Sequence, residues 1–184
     1  MPRKSNAAST LSPEYALLGM LRQKPSHGYE LHQRLAADLG QVWHISQSQA
    51  YNILNRLEAQ GFVTVTVKKQ ARLPDRRLFR LTAAGRRRFD AWFKSPASSS
   101  VKAIRVEFMT RLYFARHLCP EAVPDLIEAQ ATEVRAGLER LQATLGDYPP
   151  EQIFNRLSLE FRLRQLQSLL GWLAECRALF EQRR

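Results

Sequence analysis

The chain has 184 residues, 45% of them hydrophobic, with two cysteines and a formal net charge of +11, enough for one medium or two small packed domains. It holds no run of 18 or more uncharged apolar residues, which excludes a membrane-spanning helix, and the opening MPRKSNAAST has no apolar segment, so residues 1–10 read as a disordered tail and not a secretory signal. Cys119 and Cys176 lie in helical-looking stretches and read as structural thiols of a reducing, cytoplasmic compartment.

The charge is unevenly spread. Residues 1–95 carry 16 Lys/Arg against 6 Asp/Glu, whereas residues 96–184 carry 12 against 11. A cationic half beside a nearly neutral one points to an anionic polymer as the partner of the first.

In chain order, LSPEYALLGMLRQ predicts a helix with Ser12 as N-cap and Pro13 at its first position, and Tyr15, Leu17, Leu18 and Leu21 as its apolar stripe. KPSHG breaks it. Residues 29–40 predict a second helix on Leu31, Leu35 and Leu39, closed by Gly40. Residues 46–61 predict a third, with Ala50, Ile53, Leu54 and Leu57 as its core face and Gly61 as its end. FVTVTVKKQARLPDRRLFRLT (62–82) predicts a hairpin with Val63, Val65 and Val67 on the core side. Six cations (Lys68, Lys69, Arg72, Arg76, Arg77, Arg80) face one acid, Asp75. Thr82 caps a fourth helix with Phe89, Trp92 and Phe93 on its apolar face, and SPASSS (95–100) reads as a linker.

Beyond it the chain reads as helical throughout. Residues 101–118 predict one amphipathic helix on Ile104, Phe108 and Leu112. Residues 122–145 predict another on Ile127, Ala131, Val134, Leu138, Leu141 and Leu145, and DYPP breaks it. The last helix, 151–182, is apolar on two sides: Leu163, Leu166, Leu170 and Leu173 on one, Leu157, Phe161, Leu169 and Trp172 toward another. Two apolar sides call for two buried faces, and a second subunit is the expected cover for one of them.

Three short helices followed by a two-stranded hairpin is the order of a winged helix-turn-helix. A helix that enters the major groove buries one face on its own domain and turns short polar side chains to base edges. In the third helix that second face carries Ser48, Tyr51, Asn52 and Asn55, flanked by Gln49 and Arg56. Asn and Gln can bond adenine bidentately, and Ser and Tyr bond phosphates. The hairpin supplies the phosphate-directed charge on Lys68, Lys69, Arg72, Arg76 and Arg77, with Arg72 and Arg76 at a tip that can straddle phosphates or enter the minor groove. Arg86, Arg87 and Arg88 lie just beyond.

With those stretches in place, LLGMLRQKPSHGYEL, AYNILNRLEAQGFV and PDRRLFRLTAAG resemble the PadR family of bacterial transcriptional regulators over residues 11–94. EFMTRLYFARHL and LQSLLGWLAEC resemble the long C-terminal helical region of its virulence-activator-like subgroup over residues 101–184. The resemblance implies a mainly α fold with a winged helix-turn-helix domain at 11–94 and a helical dimerisation domain at 101–184. It also implies a homodimer on a pseudo-palindromic operator in double-stranded DNA, and usually repression, in some members lifted by a small molecule. The family's recognition-helix tyrosine falls on Tyr51. Asn52 stands where proline is usual after it, and Phe79 where the second wing strand usually has Tyr.

Phe108, Leu112, Phe161, Leu166, Leu169, Trp172 and Leu173 are the expected dimerisation residues. Trp43, Trp92 and Trp172 are candidates for the wall of a small aromatic effector's pocket, although core packing is the simpler role for each. No catalysis, cofactor, metal or membrane contact is expected, because the four histidines lack ligand spacing with cysteines or acids. Two rivals stay open: a non-specific or architectural DNA-binding protein, and an enzyme working in the C-terminal helices on Glu107, Glu160 and His117.

Overall fold

The computed structural model describes residues 12–68 and 76–182, without the side chains of Lys68 and Arg76. It separates into two compact units, divided between Ser95 and Pro96.

The first unit opens with α1 (Glu14–Gln23), whose first amide, that of Glu14, donates to Ser12 Oγ at 3.3 Å. Glu14 through Leu21 are all buried, more than one stripe of the helix. Ser26–His27 (β1) forms a short strand inside the stretch read as a simple break, and α2 (Gly28–Leu39) follows at once. α3 (Gln47–Ala59) starts at a reciprocal capping box. Gln49 N donates to Ser46 Oγ at 3.2 Å, and Ser46 N donates to Gln49 Oε1 at 2.8 Å. Gly61, at φ +73°, supplies the left-handed residue that turns the chain out of this helix.

β2 (Val63–Lys68) and β3 (Arg76–Leu81) pair antiparallel from Val63↔Leu81 to Lys68↔Arg76, and β1 pairs with the other side of β3. The hairpin departs from its expected burial. Val63 is buried, Val65 half-buried and Val67 half-exposed at 50%, so only the root of the strand lies on the core and the outer half projects beyond it. α4 (Ala83–Phe93) is capped by Thr82, whose Oγ1 accepts from Gly85 N at 3.0 Å and donates to the carbonyl of Gly61 at 2.8 Å. Gly85 has no room for a side chain, since a Cβ there would stand 2.1 Å from the carbonyl oxygen of Phe62. Leu17, Leu18, Leu31, Leu35, Leu54, Leu57, Phe79 and Phe89 close the core. Trp92 is stacked on Tyr15 at 4.7 Å, so it is a packing residue.

In the second unit, α5 (Val101–Ala103), a π turn (Ile104–Phe108) and α6 (Met109–Leu118) follow without a break. This rod is not the simply amphipathic helix expected. Ile104, Val106, Glu107, Phe108, Thr110, Arg111, Leu112, Phe114 and Ala115 are buried, most of its circumference. The buried charges are paired, Arg111 with Glu107 one turn apart. Burial pulls the Arg111 pKa below its ordinary value while Glu107 opposes the shift.

A 3₁₀ turn (Pro120–Ala122) leads to α7 (Val123–Asp147), whose Ile127, Ala131, Val134 and Leu138 are buried, with Leu141 and Leu145 half-buried. α8 (Ile153–Glu181) packs along α7. The stretch read as a linker lies against this unit, where Gln130 donates to the carbonyl of Ser98 at 2.7 Å and Ser99 lies over Gly137.

α8 does have two apolar sides, but their membership differs from the sequence expectation. Leu159, Leu163, Leu166 and Leu173 are buried within the unit. Phe108 and Leu112 are likewise buried, and Trp172, half-buried, meets Phe108 edge-on at 6.1 Å. Of the residues assigned to dimerisation, only Phe161 is exposed, and Leu169 is half-buried. The exposed apolar face lies on the first turns of the helix, at Ile153, Phe154, Leu157 and Phe161. Phe154 is 87% exposed.

Candidate nucleic-acid interface

The site is organised around α3, which has three sides. One, made of Ala50, Leu54 and Leu57, is fully buried. Positions 51, 55 and 58 recur at helical spacing and form a second side, which faces the root of β3. There Tyr51 meets Phe79 edge-on at 6.5 Å, and Arg77 donates to Asn55 Oδ1 at 2.8 Å and to Glu58 Oε2 at 2.6 Å. The third side, with Ser48, Gln49, Asn52 and Arg56, is exposed, and Asn55, exposed as well, lies where the second side meets the third.

Several residues expected at DNA therefore have a structural partner as well. Tyr51 is half-buried, its ring lying where a Cβ on Gly28 would come within 2.6 Å of it. The side-chain carbonyl of Gln49 is used by the capping box. Arg56 reaches back to Glu14, an almost fully buried carboxylate of α1, at 3.1 Å. The other oxygen of Glu14 accepts from Arg88 of α4 at 2.5 Å. Arg88 also lies over the rings of Phe62, at 4.7 Å, and Tyr15. One acid thus joins α1, α3 and α4, and it cancels charge that the sequence leaves open.

Ser48 and Asn52, one helical turn apart, are exposed and hold no side-chain bond among the described residues. The same is true of the exposed Arg80, Arg86 and Arg87, cations whose charge no acid of the described chain compensates. In β3, Arg80 stands opposite Thr64, on the face away from Phe79. Lys68 and Arg76 close the described hairpin as a register pair. Lys69 and Arg72, with the wing tip, lie outside the described residues, as does the expected tail.

Among the described residues of the second unit nothing comparable is assembled. Glu107 is committed to Arg111, and the His117 ring donates to the carbonyl of Tyr113 at 2.7 Å. Burial chiefly raises the pKa of both cysteine thiols, which makes them poor nucleophiles. Among the described residues no group of three His, Cys, Asp or Glu side chains is placed to hold a metal, and no helix is long and apolar enough to cross a membrane.

A capped helix with a polar outer face, braced against a cationic two-stranded wing, defines a DNA-binding head of the winged-helix class. Comparison with known proteins then fixes the family. Residues 17–91 match the transcriptional regulator PadR-like family and residues 104–181 the virulence activator alpha C-terminal family. The negative transcriptional regulator PadR of Bacillus subtilis is 31% identical over 133 residues, 71% of each chain. A probable transcriptional regulator of Mycobacterium tuberculosis is 30% identical over 84 residues, 46% of this chain and 44% of that one. Among solved structures, B. subtilis PadR in complex with operator DNA is 28% identical, covers 91% of this chain and 98% of its own, and has a TM-score of 0.44. The chain belongs to the PadR-like family of transcriptional regulators and carries the long C-terminal region of the virulence-activator subgroup.

Proposed function

We propose that this DNA-binding regulator is a repressor that acts as a homodimer on a two-fold related operator, with α3 in the major groove and the β2–β3 wing on the backbone. The observation that carries the reading is the outer face of α3. Ser48 and Asn52 are exposed and, among the described residues, hold no side-chain bond, and Arg80, Arg86 and Arg87, which no described acid compensates, supply charge for phosphates. The wing cations Lys68, Lys69, Arg72 and Arg76 add to that charge. Repression is supported by the relative in B. subtilis, a negative regulator by name. Dimerisation is supported by the Ile153, Phe154, Leu157 and Phe161 face, because so many large apolar side chains exposed together mark an interaction surface.

Relief by a small aromatic effector is part of the same reading. A cavity of about 430 Å³ in the second unit has Val123, Pro124, Ile127 and Phe180 as apolar walls, with Arg116, Arg177, Glu121 and Glu181 also lining it.

Selection of binding sites from random duplex by the purified protein tests the central statement. The expected product is an inverted repeat with half-site centres about one helical turn, or a multiple of it, apart. A pool with no preferred sequence instead identifies an architectural, non-specific binder, and a lone half-site removes the dimer.

A further inference from the structure

Arg77 bonds the root of the wing to α3, beside the contact of Tyr51 with Phe79. Arg77 of β3 is only 35% exposed, and its guanidinium is divided among three partners. Nη2 donates to Glu58 Oε2 at 2.6 Å, Nη1 donates to Asn55 Oδ1 at 2.8 Å, and Cζ lies 5.2 Å from the centre of the Phe79 ring. The backbone of Arg77 is held as well, since the strand pairs with β2 at Val67 and the Arg77 carbonyl accepts from the His27 ring at 3.1 Å. A cation compensated by an acid, stacked on an aromatic ring and fixed at its backbone is poorly suited to serve as a loose phosphate contact. It is well suited to hold something in place.

What it holds is the Asn55 amide. A guanidinium only donates, so the Asn55 atom that faces it is the oxygen, and the planar amide then turns its NH₂ away from Arg77. Bidentate recognition of adenine needs both ends of an asparagine, the oxygen for the N6 amino group and the nitrogen for N7. Oδ1 keeps a second lone pair, but the charge-assisted bond fixes the orientation of the amide, so the end of Asn55 left free to approach a base is its NH₂ donor.

We propose that Arg77 is a specificity-determining positioning residue, which presents Asn55 as a donor to base acceptors, guanine O6 and N7 first among them, while Asn52, with no such lock among the described residues, keeps both ends for adenine. The two asparagines of one helix then read different bases because, among the described residues, only Asn55 is bonded to the wing. The inference rests on the major-groove placement of α3 proposed above.

The experiment is site selection with the full-length wild type, Asn55→Ala, Arg77→Lys and their double mutant, with affinity followed across salt concentrations. Asn55→Ala locates the position that this residue reads, as the column of each half-site that flattens. Arg77→Lys keeps the charge and the aliphatic stem but cannot bridge Asn55 and Glu58 with one planar fork. It is expected to reduce the acceptor preference in that column by about fivefold, the value of one hydrogen bond of ordinary strength. Other columns and the salt slope stay as they are, and the double mutant matches Asn55→Ala alone.

The proposal fails if Arg77→Lys leaves that column intact, or if the two substitutions simply add. Arg77→Gln supplies a further discriminator: a uniform loss of affinity across all sequences, with a salt slope lower by about one, assigns Arg77 to a phosphate and overturns the lock. A wild type that selects no sequence overturns the DNA-reading assignment of α3 and the present inference with it. A wild type that selects normally beside an unchanged Arg77→Lys profile overturns the inference alone.

Discussion

Glu14 shows how little of a residue's role its neighbours in sequence disclose. In LSPEYALL it reads as an acid in the first turn of a helix, favourable to the helix dipole. Folded, its carboxylate is almost fully buried and binds two arginines, 42 and 74 residues further along the chain. In sequence Arg56 flanks the polar face of the third helix and Arg88 ends a run of three arginines, and neither setting points to an acid in α1. Charge counting reveals an excess of cations but cannot say which ones a distant acid has already claimed. The asymmetry of exposure yields a prediction. Glu14→Ala removes the acceptor from two guanidinium groups and is expected to cost about 1–3 kcal/mol, measured by urea unfolding. Arg56→Ala removes only the outer, half-exposed partner, whose side chain is 52% exposed, and is expected to cost under about 1 kcal/mol. Equal costs would mean that Glu14 is stabilised by something other than its arginines.

At the scale of elements, periodicity and caps carry most of the information, and they fail where an element is defined by a partner. α3 was legible because the stripe Ala50, Ile53, Leu54 and Leu57 and the closing Gly61 are local signals, while the Ser46–Gln49 capping box emerged with the structure. β1 was not, since Ser26 and His27 have no strand pattern and are a strand only because β3 offers them a free edge at Leu78 and Phe79. The π turn was hidden for a similar reason. An Ile104, Phe108, Leu112 stripe satisfies a regular helix, and only burial on most sides, with Glu107 and Arg111 paired inside, distinguishes the real rod. Of the hairpin, the strands followed from alternation, whereas their register and the decline in burial from Val63 to Val67 came only with the structure, the latter depending on where the head ends. The cap of α3 carries a prediction at this scale. Ser46→Ala removes the acceptor for Gln49 N while its backbone N–H can still donate to Gln49 Oε1, so it is expected to cost about 1 kcal/mol of stability in thermal or urea melts. Ser48→Ala, on the same turn but bonded to nothing in the described chain, is expected to leave the melt unchanged.

The whole molecule divides its labour as its charge does, with 16 Lys/Arg in residues 1–95 and near-neutrality beyond. That division was visible at once. Which apolar residues the C-terminal helices bury and which they leave exposed was not, because α8 is apolar on two sides at similar spacing and packing against α7 and Phe108 decides between them. The exposed set, Ile153, Phe154, Leu157 and Phe161, lies in the neutral unit, so its partner is expected to be apolar where the partner of the head is anionic. If that face joins two chains, it also sets how many phosphates one complex neutralises. Each neutralised phosphate contributes about 0.9 to the slope of log affinity against log salt, so a dimer bound through two heads has about twice the slope of a single head. Phe154→Glu together with Phe161→Glu places charge on the exposed face without touching the buried stripe of α8. The double variant is expected to sediment as a monomer near 21.2 kDa and to bind the selected duplex with about half the wild-type salt slope. A monomeric variant that keeps the full slope would show that one head makes all the backbone contacts. A variant that remains dimeric would move the subunit interface to another face.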